Sequence, residues 1–358
     1  MKFAFYISSL SGGGAEKVLC TLANRLVQED NEVHVISLEK RKQFYTLDDR
    51  VVLHKVDNAK KRGLLGGFRD FIFIKKMVKK IKADLSISFL LRTNLLLLFS
   101  NLFTNEKIIV CDRNNPVAEH SRCVFRFSNL LYKRADRIVV QTNQIKDFYN
   151  KRLQQKIFVI ENPIDRNALY AQIEGEELEK KDTIISIGRL EPQKDFKTLI
   201  FAFSKIMHQF PSWKLKILGV GTMHDELREL IHKQEADDRI ELCGQTQKPF
   251  LELKKSRIFV LSSNYEGFPN ALCEAMEAGL SCIASDCISG PRELITDGVN
   301  GYLFAMGNVN ELAEKMELCM TEGSSLRELQ ERAKESVKHL YLENNIKIWK
   351  KLFIECCE

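Results

Sequence analysis

The fold class predicted by this sequence is α/β, built as two doubly wound, parallel-sheet domains. Three observations predict it. Short apolar, β-branched runs alternate with longer amphipathic stretches of helical period, the signature of parallel strands covered on both faces. The alternation runs in two sets, with a polar stretch rich in Glu and Lys between them. The chain has 358 residues, 44% hydrophobic and 28% charged, enough for two ordinary globular domains.

Taken in order, residues 3–8, 32–38, 51–56, 84–89, 107–111 and 137–141 read as the strands of the first set. Helices are predicted between most of them, for example at 15–29 and 68–82, where apolar residues recur every three to four positions. A last strand at 157–160 meets Asn162-Pro163-Ile164-Asp165, where the chain changes domain. The second set has strands at 183–187, 214–218, 239–242, 258–261 and 281–284. Two helices, 326–339 and 344–355, close the chain. The predicted division is 1–164 for the first domain, 165–340 for the second, and 341–358 for a terminal helix. Ligands of such sheets bind at the carboxyl ends of the strands, so the loops that follow the strands are where chemistry is sought.

Composition narrows the function. No run of about 18 uncharged apolar residues is present, so no membrane-spanning helix is expected. The first residues read as a buried strand and lack the charged start and cleavage site of a signal peptide. Ten cysteines without a CxxC or regular spacing read as free buried thiols of a reducing cytoplasm. The net charge of +6 is modest, but Lys75, Lys76, Lys79, Lys80 and Lys82 cluster beside Phe71, Ile72, Phe73, Ile74, Met77, Val78 and Ile81. A helix there has one apolar and one basic face and suits peripheral contact with an anionic membrane, or ordinary packing on the sheet. Arg122, Arg126, Lys133 and Arg134 form a second basic group. No nucleic-acid motif accompanies these charges, and no nucleic-acid partner is expected.

Three motifs follow predicted strands. Ser11-Gly12-Gly13-Gly14-Ala15-Glu16 opens a helix, and its glycines allow close backbone approach to an anion such as a diphosphate at the helix N-terminus. It is not GxGxxG, which disfavours a dinucleotide. Gly188-Arg189-Leu190-Glu191-Pro192-Gln193-Lys194 places two cations at a strand end, suited to the charge of a departing nucleotide diphosphate. Glu266-Gly267-Phe268-Pro269-Asn270-Ala271-Leu272-Cys273-Glu274 sets two carboxylates, seven residues between them, around a loop and a first helical turn. Carboxylates there can accept the paired hydroxyls of a sugar or ribose. Asp48-Asp49 and Asp237-Asp238 are adjacent acidic pairs that read as solvated, and no metal or other cofactor is expected.

On these residues the sequence resembles family 4 of the retaining glycosyltransferases, which have the GT-B architecture of two Rossmann-like domains facing across a cleft. The glycine loop, Gly188-Arg189 with Lys194, Glu266 with Glu274, and Gly290-Pro291-Arg292-Glu293 with Asp297-Gly298 and Gly301 match in order and strand position over nearly the whole chain. The resemblance implies an acceptor-binding first domain, a nucleotide-sugar-binding second domain, and a terminal helix that crosses back to the first. It implies that Gly13 and Gly14 approach the donor diphosphate and that Arg189 and Lys194 bind it. Glu274 would hold the ribose, and Glu266 with the backbone of Phe268, Pro269 and Asn270 would hold the donor sugar. Gly219, Gly221 and Gly244 would lie near the nucleotide.

Two positions depart from the family pattern. Many members carry a donor-contacting His after the strand that here ends at Cys111; Arg113 stands there, in Asp112-Arg113-Asn114-Asn115-Pro116, and His120 follows seven residues later. Arg113 is the residue expected in the site. Val220 stands between Gly219 and Gly221 where members commonly have Asp. The expected activity is metal-independent, retaining transfer of a hexose or N-acetylhexosamine, with galactose or N-acetylgalactosamine favoured, from a UDP-sugar. The expected acceptor is a glycan on undecaprenyl diphosphate at the cytoplasmic face of a bacterial membrane, in O-antigen or capsule synthesis. Two other readings stay open: a UDP-sugar epimerase of the same architecture, which would need no acceptor, and a non-catalytic membrane-associated scaffold.

Overall fold

The computed structural model describes residues 1–39, 43–56, 64–102, 106–113, 121–321 and 325–358. The chain forms two compact units: Met1–Pro163 with Glu343–Glu358, and Ile164–Leu342.

In the first unit, seven strands form one sheet in the order β3-β2-β1-β4-β5-β6-β7. They are β1 (Lys2–Ile7), β2 (Glu32–Ser37), β3 (Val52–Lys55), β4 (Leu85–Phe89), β5 (Lys107–Cys111), β6 (Arg137–Val140) and β7 (Ile157–Val159). Every pairing is parallel, from Phe5 opposite Val35 and Ile87 to Val139 opposite Phe158. Strand order reverses between β1 and β4, and Ser8 and Thr93 join their hydroxyls at 3.0 Å beyond these strand ends. The helix Leu64–Ile81 buries Ile74, Met77, Val78 and Ile81 and leaves Lys75, Lys76, Lys79 and Lys80 exposed. Phe68 and Ile72 on this helix are exposed as well.

The second unit holds six parallel strands in the order β10-β9-β8-β11-β12-β13. They are β8 (Thr183–Ile187), β9 (Lys214–Leu218), β10 (Ile240–Gly244), β11 (Ile258–Leu261), β12 (Ser281–Ser285) and β13 (Tyr302–Phe304). Side chains alternate between two cores. Ile184, Ile217, Val260 and Ile283 enter one, and Ile185, Leu218, Phe259 and Ala284 the other. Both faces of β8, β11 and β12 are thus dry, which is why these strands read as nearly continuous apolar runs. β13 has three residues and was not expected from the sequence.

From Glu343 on, the helix Leu342–Cys357 belongs to the first unit, and it buries Ile346, Trp349, Leu352 and Phe353. Phe353 lies 5.1 Å from the Phe3 ring of β1. All ten cysteines are free thiols; Cys123 and Cys357 are exposed and Cys243 is half-buried, so the expectation of buried thiols fails at these three. Among the described residues no helix is long and apolar enough to cross a membrane.

Candidate active site

The second unit assembles its motif residues at the carboxyl ends of β8, β9, β11 and β12, where the strand order reverses between β8 and β11. Backbone bonds stitch these loops together: Gly188 N–H donates to Leu218 (3.0 Å), Leu190 to Val220 (3.0 Å) and Gly219 to Gly244 (2.7 Å). The approach is so close that a Cβ on Gly219 would lie 1.8 Å from the Gly188 carbonyl oxygen, and one on Gly221 would lie 2.3 Å from that of Leu190. Only glycine fits at either position.

Lys194 ends the short 3-10 turn Pro192–Lys194, and its aliphatic stem lies over Gly188. Its Nζ donates to Glu266 Oε1 at 2.6 Å, and the Ser263 hydroxyl donates to the same oxygen at 2.6 Å. The Lys194 and Glu266 side chains are 15% and 7% exposed, so this ion pair is nearly shielded from water. Arg189 is exposed and donates from Nη2 to Gln193 Oε1 at 3.0 Å; Gln193 in turn donates to the Tyr265 carbonyl at 2.9 Å. The loop after β11 thereby orients a cation carried by the loop after β8. Gln193, Ser263 and Ser289 are the members of this network that sequence reasoning missed. Ser289 donates to the Glu266 carbonyl, and Gly290 backs onto Pro269. Asn270 starts the helix Asn270–Ala278, and Glu274, one turn on, is 9% exposed. Burial pushes the Cys287 thiol beside this network up to about 12, so it stays protonated at neutral pH.

In the first unit the glycine loop carries its own anion. The Glu16 carboxylate accepts from Gly12 N–H at 2.5 Å, from Gly13 N–H and from the Ser9 hydroxyl at 2.5 Å. This is the carboxylate half of a capping box, extended by one residue; Gly13 at the N-cap has no side chain to return a bond. The Gly13 N–H is therefore committed to Glu16, while Gly14 begins the helix Gly14–Gln28 and is exposed.

Arg113 is 6% exposed. Its guanidinium lies 4.9 Å from the Phe89 ring and 5.5 Å from that of Trp349, and Nη1 donates to Asn162 Oδ1 at 2.6 Å. This ties Arg113 to the first unit's side of the chain crossing, and its Nε and Nη2 are buried with no hydrogen-bond partner among the described residues. His120 lies outside the described residues, as do Asn114, Asn115 and Pro116. Next to Arg113, Asp112 accepts from the hydroxyls of Tyr132 (2.6 Å) and Tyr149 and from Asn94 (3.1 Å). Burial, then the Asp112 charge, holds both phenols well above the usual tyrosine range.

Two doubly wound sheets of this strand order, the second with cations and carboxylates gathered at its switch point, define the two-domain α/β glycosyltransferase class. Residues 12–168 match the family model Glycosyltransferase Family 4, and residues 171–336 match the model Glycosyl transferases group 1. An uncharacterized glycosyltransferase of Methanocaldococcus jannaschii is 32% identical over 331 residues, covering 78% of this chain and 81% of the relative. The chain belongs to this family of glycosyltransferases. It is also 26% identical, over 99% of both chains, to a Campylobacter jejuni enzyme named as an α-1,4-N-acetyl-D-galactosaminyltransferase acting on an undecaprenol-diphosphate-linked glycan. Among solved structures, Anabaena HepE in complex with UDP and glucose superposes with a TM-score of 0.82 at 18% identity, over 98% of this chain and 99% of that one. That likeness shows the fold, which is GT-B.

Proposed function

We propose that this chain is a retaining, metal-independent transferase moving a hexose or N-acetylhexosamine from a UDP-sugar to a lipid-diphosphate-linked glycan, such as one on undecaprenyl diphosphate, in the synthesis of a bacterial surface polysaccharide. The observation that carries the reading is the Arg189–Gln193 and Lys194–Glu266 network at the switch point of the second sheet. A leaving diphosphate gains negative charge, and two cations held ready there lower the barrier without the reorganisation that water would need. They supply the charge that a divalent metal supplies in other transferases.

In this reading the second unit binds the donor. Glu274 accepts the ribose hydroxyls, Glu266 and the backbone of Phe268, Pro269 and Asn270 hold the sugar, and Gly219, Gly221 and Gly244 border the nucleotide. The first unit binds the acceptor. The acceptor hydroxyl attacks the anomeric carbon on the face from which UDP leaves. Its proton passes to a phosphate oxygen of the departing UDP, so no protein base is needed. The Campylobacter jejuni relative supports the lipid-linked acceptor and makes N-acetylgalactosamine the first sugar to try. Exposed Phe68 and Ile72, beside Lys75, Lys76 and Lys79, suit peripheral contact with the anionic inner face of a cell membrane.

The test is UDP release from a panel of UDP-sugars, with EDTA present, on vesicles with and without a lipid-diphosphate-linked sugar. Release that requires the acceptor and yields a product of unchanged anomeric configuration supports the reading. Interconversion of the donor sugar without acceptor would replace it by an epimerase. Loss of vesicle binding on replacing Phe68 and Ile72 by Ser is expected; unchanged binding would sink the membrane contact.

A further inference from the structure

Glu277 is a carboxylate that the proposed chemistry does not use, yet it is 0% exposed. It sits in the last turn of the helix Asn270–Ala278. Its Oε1 accepts from Arg166 Nε at 2.9 Å and from the Tyr170 hydroxyl at 3.2 Å; its Oε2 accepts from the Tyr341 hydroxyl at 2.8 Å. The Arg166 guanidinium is also stacked 4.8 Å from the Tyr341 ring and 5.2 Å from that of Tyr170. Burying a charge is costly unless it is paired and fully hydrogen-bonded, and this one is.

The partners share one property: they flank the places where the chain passes between the units. The outward pass is at Pro163–Ile164 and the return at Leu342–Glu343. On the second-unit side the two passes pair with each other: Ile164 N–H donates to Leu340 (2.8 Å) and Leu342 N–H to Ile164 (3.0 Å). On the first-unit side, Arg113 holds Asn162, and Asn345 Nδ2 donates to the Glu161 carbonyl at 2.8 Å. One residue, Pro163, lies between the held Asn162 and the held Ile164, and its ring fixes φ near about −65°.

We infer that Glu277 is a positioning residue for sugar transfer: its carboxylate fastens the paired crossings at Ile164 and Tyr341 to the helix that carries Asn270 and Glu274. The inference rests on the proposed role of those two residues in holding the donor. A shift at the crossings is then transmitted to the donor-holding turn of the helix. Glu277 acts through the helix and touches no substrate.

The experiment compares the full chain with Glu277→Gln and Tyr341→Phe. Tyr341→Phe removes one hydroxyl and keeps the ring, so it folds even if the first variant does not. Amide hydrogen exchange at Ile164 and Leu342 is expected to quicken by about tenfold in the variants, with the β8 amides of Ile184 and Ile185 unchanged. Acceptor-dependent kcat is expected to fall by about tenfold, with the Kd for UDP within about twofold. Unchanged exchange at the crossings would overturn the anchoring. Loss of UDP affinity in parallel with kcat would overturn the positioning role and leave Glu277 as a plain support of the donor loop. If the unaltered chain binds no UDP, the proposed UDP-sugar donor is what has failed, and the exchange result still decides the anchoring.

Discussion

Lys194 and Glu266 show what a single contact can and cannot do. Their 2.6 Å pair is nearly buried, so removing one partner strands the other. Lys194→Ala is expected to cost about 3 kcal/mol of stability, because a buried carboxylate loses its counter-charge. It should also lower kcat/KM by about a hundredfold through the missing cation. Lys194→Met with Glu266→Gln removes both charges, and should regain most of the stability while leaving activity low. Thermal unfolding and donor turnover on the same samples separate the two effects; recovery of activity in the double variant would remove Lys194 from the chemistry. Both residues stood out in the sequence because each follows a strand in a loop. Gln193 did not, since a Gln in a polar loop carries no signal until its bonds to Arg189 and the Tyr265 carbonyl are visible. Arg113 was visible as a residue type, but its partner Asn162 is 49 positions away. Glu277 read as one more helix charge, since the periodicity of nine residues does not distinguish a buried turn from a solvated one.

At the scale of elements, the central strands of the second sheet were legible because both of their faces are buried. Ile184 and Ile185 are both needed as apolar residues, one for each core. β13 was missed because Tyr302–Phe304 is too short to show a period of two. Loop contacts are less legible, because the two glycines at 219 and 221 look like a flexible turn and are in fact close-packed. Gly219→Ala puts a methyl group 1.8 Å from the Gly188 carbonyl, so the loops after β8 and β9 must part. A loss of about 3 kcal/mol and a marked weakening of UDP binding are expected. Gly67 is the contrasting case. It lies within the helix Leu64–Ile81, and an added Cβ there meets nothing within 4 Å. Gly67→Ala should stabilise the protein by about 0.5–1 kcal/mol, through lower backbone entropy in the unfolded chain. Denaturant midpoints check both; a stabilised Gly219→Ala or a destabilised Gly67→Ala would contradict the packing described.

For the molecule as a whole, the question is why the last sixteen residues belong to the unit built from the first half of the chain. The helix Leu342–Cys357 buries Asn345, Ile346, Trp349, Leu352, Phe353 and Cys356, and none of these packs into the second unit's cores. Trp349 is 0% exposed, stacks 5.6 Å from Phe353 and flanks the Arg113 guanidinium. The Lys350–Glu29 ion pair adds a tie to the helix that follows the glycine loop. The first unit therefore lacks part of its cover until the end of the chain arrives, whereas the second unit is complete at Leu342. Trp349→Ala should cost the first unit about 3–5 kcal/mol, the range for emptying a large buried aromatic site. The effect should be local: β1 and β5 amides exchange faster, while β8 and β11 amides hold their rates, because the cavity opens in one unit only. Equal acceleration in both sheets would mean that the units unfold as a single cooperative body, and the expected local effect would be wrong.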